Sequence, residues 1–341
     1  MKIEAGTIIK GKPGTGSLAS ALIVQRGSKI DAQGTAEKPI VFTSSEDNIQ
    51  VGQKFGTNLS FADNGRWGGV LVLGKAKGSF KGDVSEIQIE GIPASDTFGL
   101  YGGNDDADDS GILKYISIRH GGAEIGEGNE INGLTLGSVG NKTVIENIEV
   151  MANFDDGVEF FGGTVSASNL MVWGAGDDGL DVDEAYSGTI SNSMVILGDT
   201  SDHGLEIDGP AGAFEAGFVI KDLTMKGNTV TGDGEYGDFR DRAMGETFNV
   251  YAYGFKASAD VELDNDGVAT NYNNGKLKFG IWQIVLPEGV TDVTKIFANK
   301  AEGVTVTGFG DNASAVTAGA QTVGATLSVF DWTYAKSKSA Y

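Results

Sequence analysis

Asp155-Asp156-Gly157-Val158-Glu159-Phe160, Asp177-Asp178-Gly179-Leu180-Asp181-Val182 and Asp202-His203-Gly204-Leu205-Glu206-Ile207 are one phrase written three times. Each is a polar turn, a glycine, and then apolar, acidic, apolar. The three glycines lie 22 and then 25 residues apart (157 to 179 to 204). Strict alternation is the period of a strand with one face in a core. A strand that recurs at this interval, with no helical pattern between, is the mark of a solenoid in which each coil buries its apolar face against the next. The spacing predicts an all-β, single-domain, right-handed parallel β-helix over residues 1–341.

Working outward, the same short strands appear on both sides. Thr7-Ile8-Ile9-Lys10, Ala21-Leu22-Ile23-Val24 and Pro39-Ile40-Val41-Phe42-Thr43 open the stack, and Trp67-Gly68-Gly69-Val70-Leu71-Val72-Leu73 continues it. Polar stretches at 44–65 and 75–110 read as corner insertions. Coils resume at Leu113-Lys114-Tyr115-Ile116-Ser117-Ile118. After Pro210 the period weakens. Residues 211–217 and 232–241 read as loops, and 210–341 as an irregular region capping the exposed strand edge.

Composition agrees. The 341 residues include 53 Gly and 5 Pro, a balance suited to many tight turns between strands. A net charge of −22 argues against nucleic acid or an anionic membrane surface as partner, and favours divalent cations and basic or neutral ligands. With no Cys there is no disulfide, thiolate nucleophile or Cys zinc site. No apolar run is long enough to insert in a bilayer. Met1 to Gly6 lacks the apolar segment of a signal peptide, so an exported natural protein would be longer than this chain.

A set of motifs then carries a resemblance. Gly34-Thr35 with Pro39-Ile40-Val41-Phe42-Thr43, Trp67-Gly68-Gly69 with Leu73-Gly74, Tyr101-Gly102-Gly103-Asn104-Asp105, Asn129-Glu130-Ile131-Asn132-Gly133-Leu134-Thr135, Gly157 to Thr164 and Phe330-Asp331-Trp332-Thr333 together resemble exported bacterial cell-surface right-handed β-helix proteins. The resemblance implies this fold and an extracellular or cell-surface location. It implies no defined chemistry.

The residues themselves suggest three constellations. In the three phrases Val158, Phe160, Leu180, Val182, Leu205 and Ile207 point inward. Glu159, Asp181 and Glu206 then form an outward column, flanked by Asp183 and Asp208. Coils stack about 4.8 Å apart. Neighbouring carboxylates at that distance repel by about 1 kcal/mol in water and about 4 kcal/mol in a protein site. Bound Ca2+, raised pKa values or a cationic partner would offset this, and Ca2+ is the expected ion. Against this stands a plain solvated acidic face.

The second constellation resembles the polygalacturonase family, itself built on right-handed β-helices. Asn153-Phe154-Asp155, Gly176-Asp177-Asp178, Asp202-His203-Gly204 and Arg240-Asp241-Arg242 follow that family's order. The resemblance would make Asp178 a general acid, Asp155 and Asp177 water-activating, and His203 a tuning partner. It departs at Asp202 and Arg242, which stand where that family has Gly and Lys. An acidic face would also repel a uronate.

The third is Asn104, Asp106, Asp108 and Ser110, alternating oxygens that resemble the first half of a calcium loop. Asp264-Asn265-Asp266-Gly267 is a weaker echo and reads as a turn. His120 reads as a corner residue, and Trp67, Trp173, Trp282 and Trp332 as core or cap.

The expectation is therefore a non-catalytic exported β-helix, presenting an acidic face to polysaccharide, surface protein or Ca2+. The alternative is a polysaccharide hydrolase or lyase on the same face.

Overall fold

The computed structural model describes residues 1–90, 92, 96–125, 130–229 and 234–341. The strands stack in two parallel sheets that wind as a right-handed β-helix. One sheet is built of short strands. Leu22–Val24, Val70–Leu73, Leu134–Gly137, Val158–Phe161, Leu180–Asp183, Leu205–Ile207, Gly237–Phe239, Val261–Leu263 and Phe297–Asn299 each pair with the next. The other is built of long strands, among them Gly111–Arg119, Val144–Met151, Ala167–Trp173, Thr189–Ile196, Phe218–Lys226 and Gly245–Tyr253. The core lies between them. Val158, Phe160, Leu180, Val182, Leu205 and Ile207 are all sealed inside, as the alternation requires.

Each long strand bends once, through a residue with positive φ. Tyr115, Asn147, Asn169, Asn192, Asp222 and Asn249 occupy this corner on six successive coils. Asn and Asp tolerate the left-handed region better than other non-glycine residues. Their side chains also bond along the stack: Asn169 Nδ2 donates to Asn147 Oδ1 (3.1 Å), Asn192 Nδ2 to Asn169 Oδ1 (2.6 Å), and Asn249 Nδ2 to Asp222 Oδ1 (2.9 Å). His120 also sits at a corner, with φ 59° and its ring buried against the Asp63 carbonyl.

The insertions fall where expected, after Ile40–Ser44 and after Val70–Leu73. The second carries a small antiparallel hairpin of Ile87–Gln88 and Leu100–Tyr101. The irregular cap expected from residue 210 is corrected. Parallel strands continue through Gly237–Phe239, Val261–Leu263 and Phe297–Asn299, and in the other sheet to Ala313–Ala315. Longer connections dilute the period here, so in the short-strand sheet the alternation survives only in three-residue pieces. The loop read over 232–241 thus contains a strand, although 232 and 233 themselves lie outside the described residues, as does Asn129 of the motif above. Asn265 caps a helix, Asp266–Asn273, by accepting from the Gly267 and Val268 amides, which explains the turn-like sequence there.

Beyond the last strand the chain doubles back over the long-strand sheet. Gly324 N–H donates to Asn249 O (3.1 Å), Ala325 N–H to Thr224 Oγ1 (2.9 Å), Thr326 N–H to Asn192 Oδ1 (2.7 Å) and Ala335 N–H to Glu149 Oε1 (2.9 Å). Trp332 meets Tyr115 edge to face. Tyr334 contacts Phe55 of the first insertion and Trp173. Arg119 lies between the Phe55 and Tyr334 rings, 5.4 and 5.1 Å from their centroids, and reaches Glu149.

Candidate functional site

Register makes the acidic column longer than three. Glu159 pairs with Asp181, Asp181 with Glu206, Glu206 with Asp238, and Asp238 with Glu262. Above Glu159 the same position holds Thr135 and then Leu71. Asp238 and Glu262 escaped sequence reading because the connection after Asp208 breaks the spacing. Their signal, an acid between apolar neighbours in Gly237-Asp238-Phe239 and Val261-Glu262-Leu263, was nevertheless present. The column points away from the core, yet it is not solvated. Glu159, Asp181, Glu206 and Asp238 are 4%, 8%, 8% and 6% exposed. Buried charge of one sign requires compensation.

The C-terminal half finds it within the chain. Arg240 reaches Glu206, Asp208 (2.7 Å) and Asp238 (3.7 Å). Lys300 binds Asp260 (3.0 Å) and Glu262 (2.9 Å). Beside the ladder, burial pushes the His203 imidazole down, but its bond to Asp178 (2.9 Å) together with the charges of Asp178, Asp202 and Asp238 outweighs this and raises it to about 9. Asp183 and Asp208 lie side by side, and Asp183 Oδ1 is buried without a partner. Burial raises both, to about 6 and about 8, and Arg240 donates to Asp208.

The N-terminal half has no such partner. Asp156, Glu159 and Asp181 each bring an oxygen within 4.8 Å of the other two, and all three are buried. Among the described residues no ion pair reaches them. Burial drives all three carboxyls well above the carboxylate range. Asp178 and Asp155 add to this at Asp156, Asp156 at Glu159, and Asp183 and Glu159 at Asp181. Asn132 Nδ2 donates to Glu159, while Asn132 Oδ1 and Asp181 Oδ1 are buried with no partner. Asp156 is the ligand candidate that sequence reading left in the turn set. Its oxygens join the ladder because the turn folds beside the strand.

A family model described as a pectate-lyase-like beta helix domain matches residues 1–335. The chain belongs to that family. No curated protein and no solved structure matches it. Membership in the pectate-lyase-like family agrees with the β-helix resemblance and is consistent with the polygalacturonase one. Among the described residues of this pectate-lyase-like chain, no helix is long and apolar enough to cross a membrane.

The polygalacturonase-like residues do come together, in a geometry of their own. Asp178 is 1% exposed on its side chain, and its Oδ1 accepts from both the amide and Nδ1 of His203. Asp155, Asp156 and Asp177 hold oxygens within 4.8 Å of one another. Burial and Asp177 raise Asp155 to about 7. Arg242 donates to the Pro210 (2.6 Å) and Gly212 (3.2 Å) carbonyls, holding the corner loop.

Asp155 and Asp177 line an open cleft of about 660 Å³, walled by Phe61 and Phe154. The Asn104 loop lies apart from the ladder. Asp106 pairs with Lys77 (3.2 Å), and Asp108 accepts from Ser110 Oγ (3.1 Å), so these carboxylates close the insertion onto its own neighbours. Asn104 lines a separate depression with Lys77 and Phe80.

Proposed function

We propose that this pectate-lyase-like β-helix is an extracellular, non-catalytic module. It takes up a divalent cation, Ca2+ first, in the N-terminal half of its ladder, and presents the loaded face to a polysaccharide or surface protein. One observation carries this reading: Asp181 Oδ1 is buried without a partner between Glu159 and Asp156, where the chain supplies no positive charge. Carboxylate and amide oxygens are the hard ligands Ca2+ prefers, and six to eight of them suit its flexible shell better than the strict octahedron of Mg2+. Asp156, Glu159, Asp181 and the Asn132 amide oxygen supply a nucleus for such a shell. Asp208 and Glu206 are engaged by Arg240, which leaves them outside it.

The locked Asp178 and the structural use of Arg240 and Arg242 favour binding over hydrolysis. Calorimetric titration of EDTA-treated protein tests the proposal. Ca2+ is expected to bind with at least tenfold preference over Mg2+, and Asp181→Asn to abolish it. A reducing-end and unsaturated-product screen over acidic and neutral polysaccharides is expected to be silent. Activity lost in Asp178→Asn would replace this reading with the enzymatic one.

A further inference from the structure

Beside the ladder, the cleft between the first insertion and the coil turns has its own construction. Phe61 is laid flat by glycine. A Cβ on Gly174 would stand 2.0 Å from its ring, and one on Gly198 3.0 Å. The ring's other support is Trp173, stacked at 4.7 Å and 22°. Phe154 faces the same space and is 50% exposed. The remaining charged lining is Glu130, Asp155, Asp177 and Asp199, with no Lys, Arg or His among the described lining residues. The space, about 660 Å³, is that of a small-molecule site rather than a slot for one side chain.

We propose that this cleft binds a hexosamine residue with a free primary ammonium, as found in deacetylated glycans. The aliphatic face of the pyranose lies on a phenylalanine ring, and the ammonium meets the carboxylates. Aromatic faces and carboxylates together select a cation with an apolar body. A uronate meets an acidic wall with no base among the described lining residues to pair its carboxylate, and an N-acetylated sugar brings no cation to pair with that wall. A single lysine side chain supplies the ammonium but leaves most of the cleft unfilled. Asp155 and Asp177 hold oxygens within 4.8 Å of the ladder ligand Asp156, so the cleft is tested with the ladder kept free of ions, and through Phe154 and Asp199, which take no part there.

The test is calorimetric binding, at physiological salt and in EDTA, of a glucosamine tetramer, its N-acetylated counterpart, a galacturonate tetramer and tetralysine. The glucosamine tetramer is expected to bind at least tenfold more tightly than the other three. Phe154→Ala, at an exposed ring, is expected to weaken it about tenfold with an unchanged melting curve. Asp199→Asn provides a second variant outside the ladder and is expected to weaken it severalfold. Binding that is indifferent to Phe154→Ala would mean diffuse attraction to an acidic protein and would overturn the proposal. Tetralysine binding as tightly, with the same dependence on Phe154, would overturn it in favour of a polypeptide partner. Equal binding of the acetylated tetramer, or none of any, would also overturn it. Ca2+ uptake by the ladder is measured separately and stands or falls on its own.

Discussion

The two halves of the ladder share one register along the short-strand sheet and differ in the bases that reach them. From Glu206 to Glu262 the chain brings its own cations, Arg240 and Lys300, to the carboxylates. Around Asp156, Glu159 and Asp181 it brings none among the described residues, and while unpartnered buried oxygens occur in both halves, at Asp181 as at Asp238, only the second has a base beside it. The same local sequence thus builds an internally neutralised structural element in one place and an ion-seeking one in the other. A carboxylate ladder acquires its role from the residue at the next position along the strand, which is Arg240 in one coil and Phe161 or Asp183 in others. Reading acidic residues as ligands requires first counting the bases that reach them.

The largest expected effect that tests this contrast is that of pH on the protein in EDTA. Burial raises Glu184 to about 8, despite its bond to Tyr101, and His203 stands at about 9. A carboxyl raised on folding stabilises fully below its ordinary value near 4.5, and that stability is lost as pH climbs through 8. The His203 contribution is likewise full below about 6.5 and lost through 9. Both have the same sign. Stability to urea is expected to fall by several kcal/mol between pH 5 and pH 9, on the order of 1.4 kcal/mol per unit of displacement. Ca2+ is expected to flatten the fall. A flat profile in EDTA would break the claim that folding holds the Glu184 carboxyl and the His203 imidazole protonated.

Next in size, Arg240→Met is expected to cost about 3 kcal/mol in urea unfolding, the lower end for breaking a buried pair, because Arg240 is itself 38% exposed. A cost under about 1 kcal/mol would show that the C-terminal half is not held by this residue. Saturating Ca2+ is expected to add about 2.7 kcal/mol at a hundredfold excess over Kd, seen as a rise in Tm that Mg2+ at equal ionic strength does not reproduce. Opposite signs are expected for Asp181→Asn and Glu206→Gln in EDTA. At pH 9, where ionisation of the buried cluster costs most, the first removes a repelling carboxyl and stabilises by about 1 kcal/mol, and the second strips Arg240 of a partner and destabilises by a similar amount. Two changes of the same sign would erase the distinction between the halves. Smallest of all, Lys300→Met is expected to cost under about 1 kcal/mol, since the lysine is 47% exposed and its ion pairs face solvent.

Much of the fold was legible because its cause is local. Val158-Glu159-Phe160 alternates whatever surrounds it, and three such pieces at 22 and 25 residues set the coil. Glu159, Asp181 and Glu206 could be placed in one column for the same reason. What stayed hidden depends on contacts far apart in sequence. At the Phe161 end of the sheet, Phe80 and Tyr101 of the second insertion lie over the strands, a cover that no strand period encodes. The assignment of Arg240 to Glu206, Asp208 and Asp238 follows from register across a long connection. The asparagine corner was readable in principle, since Asn147, Asn169 and Asn192 recur at the coil spacing, but its meaning emerges only once the long strands are seen to bend there.

The segment that doubles back over the long-strand sheet has a consequence for how this architecture varies. It touches the corner at Asn249, passes Asn192 and reaches Tyr115 with Trp332. That path crosses six coils, five steps of about 4.8 Å or roughly 24 Å. A bare solenoid tolerates gain or loss of a repeat, because each coil knows only its neighbours. Here one coil more or fewer would shift Ala335 off Glu149 and Trp332 off Tyr115 by a full step. The segment therefore works as a ruler. It turns a fold whose length is otherwise arbitrary into one with a counted number of turns, and it makes duplication of a single coil a change that cannot be absorbed locally.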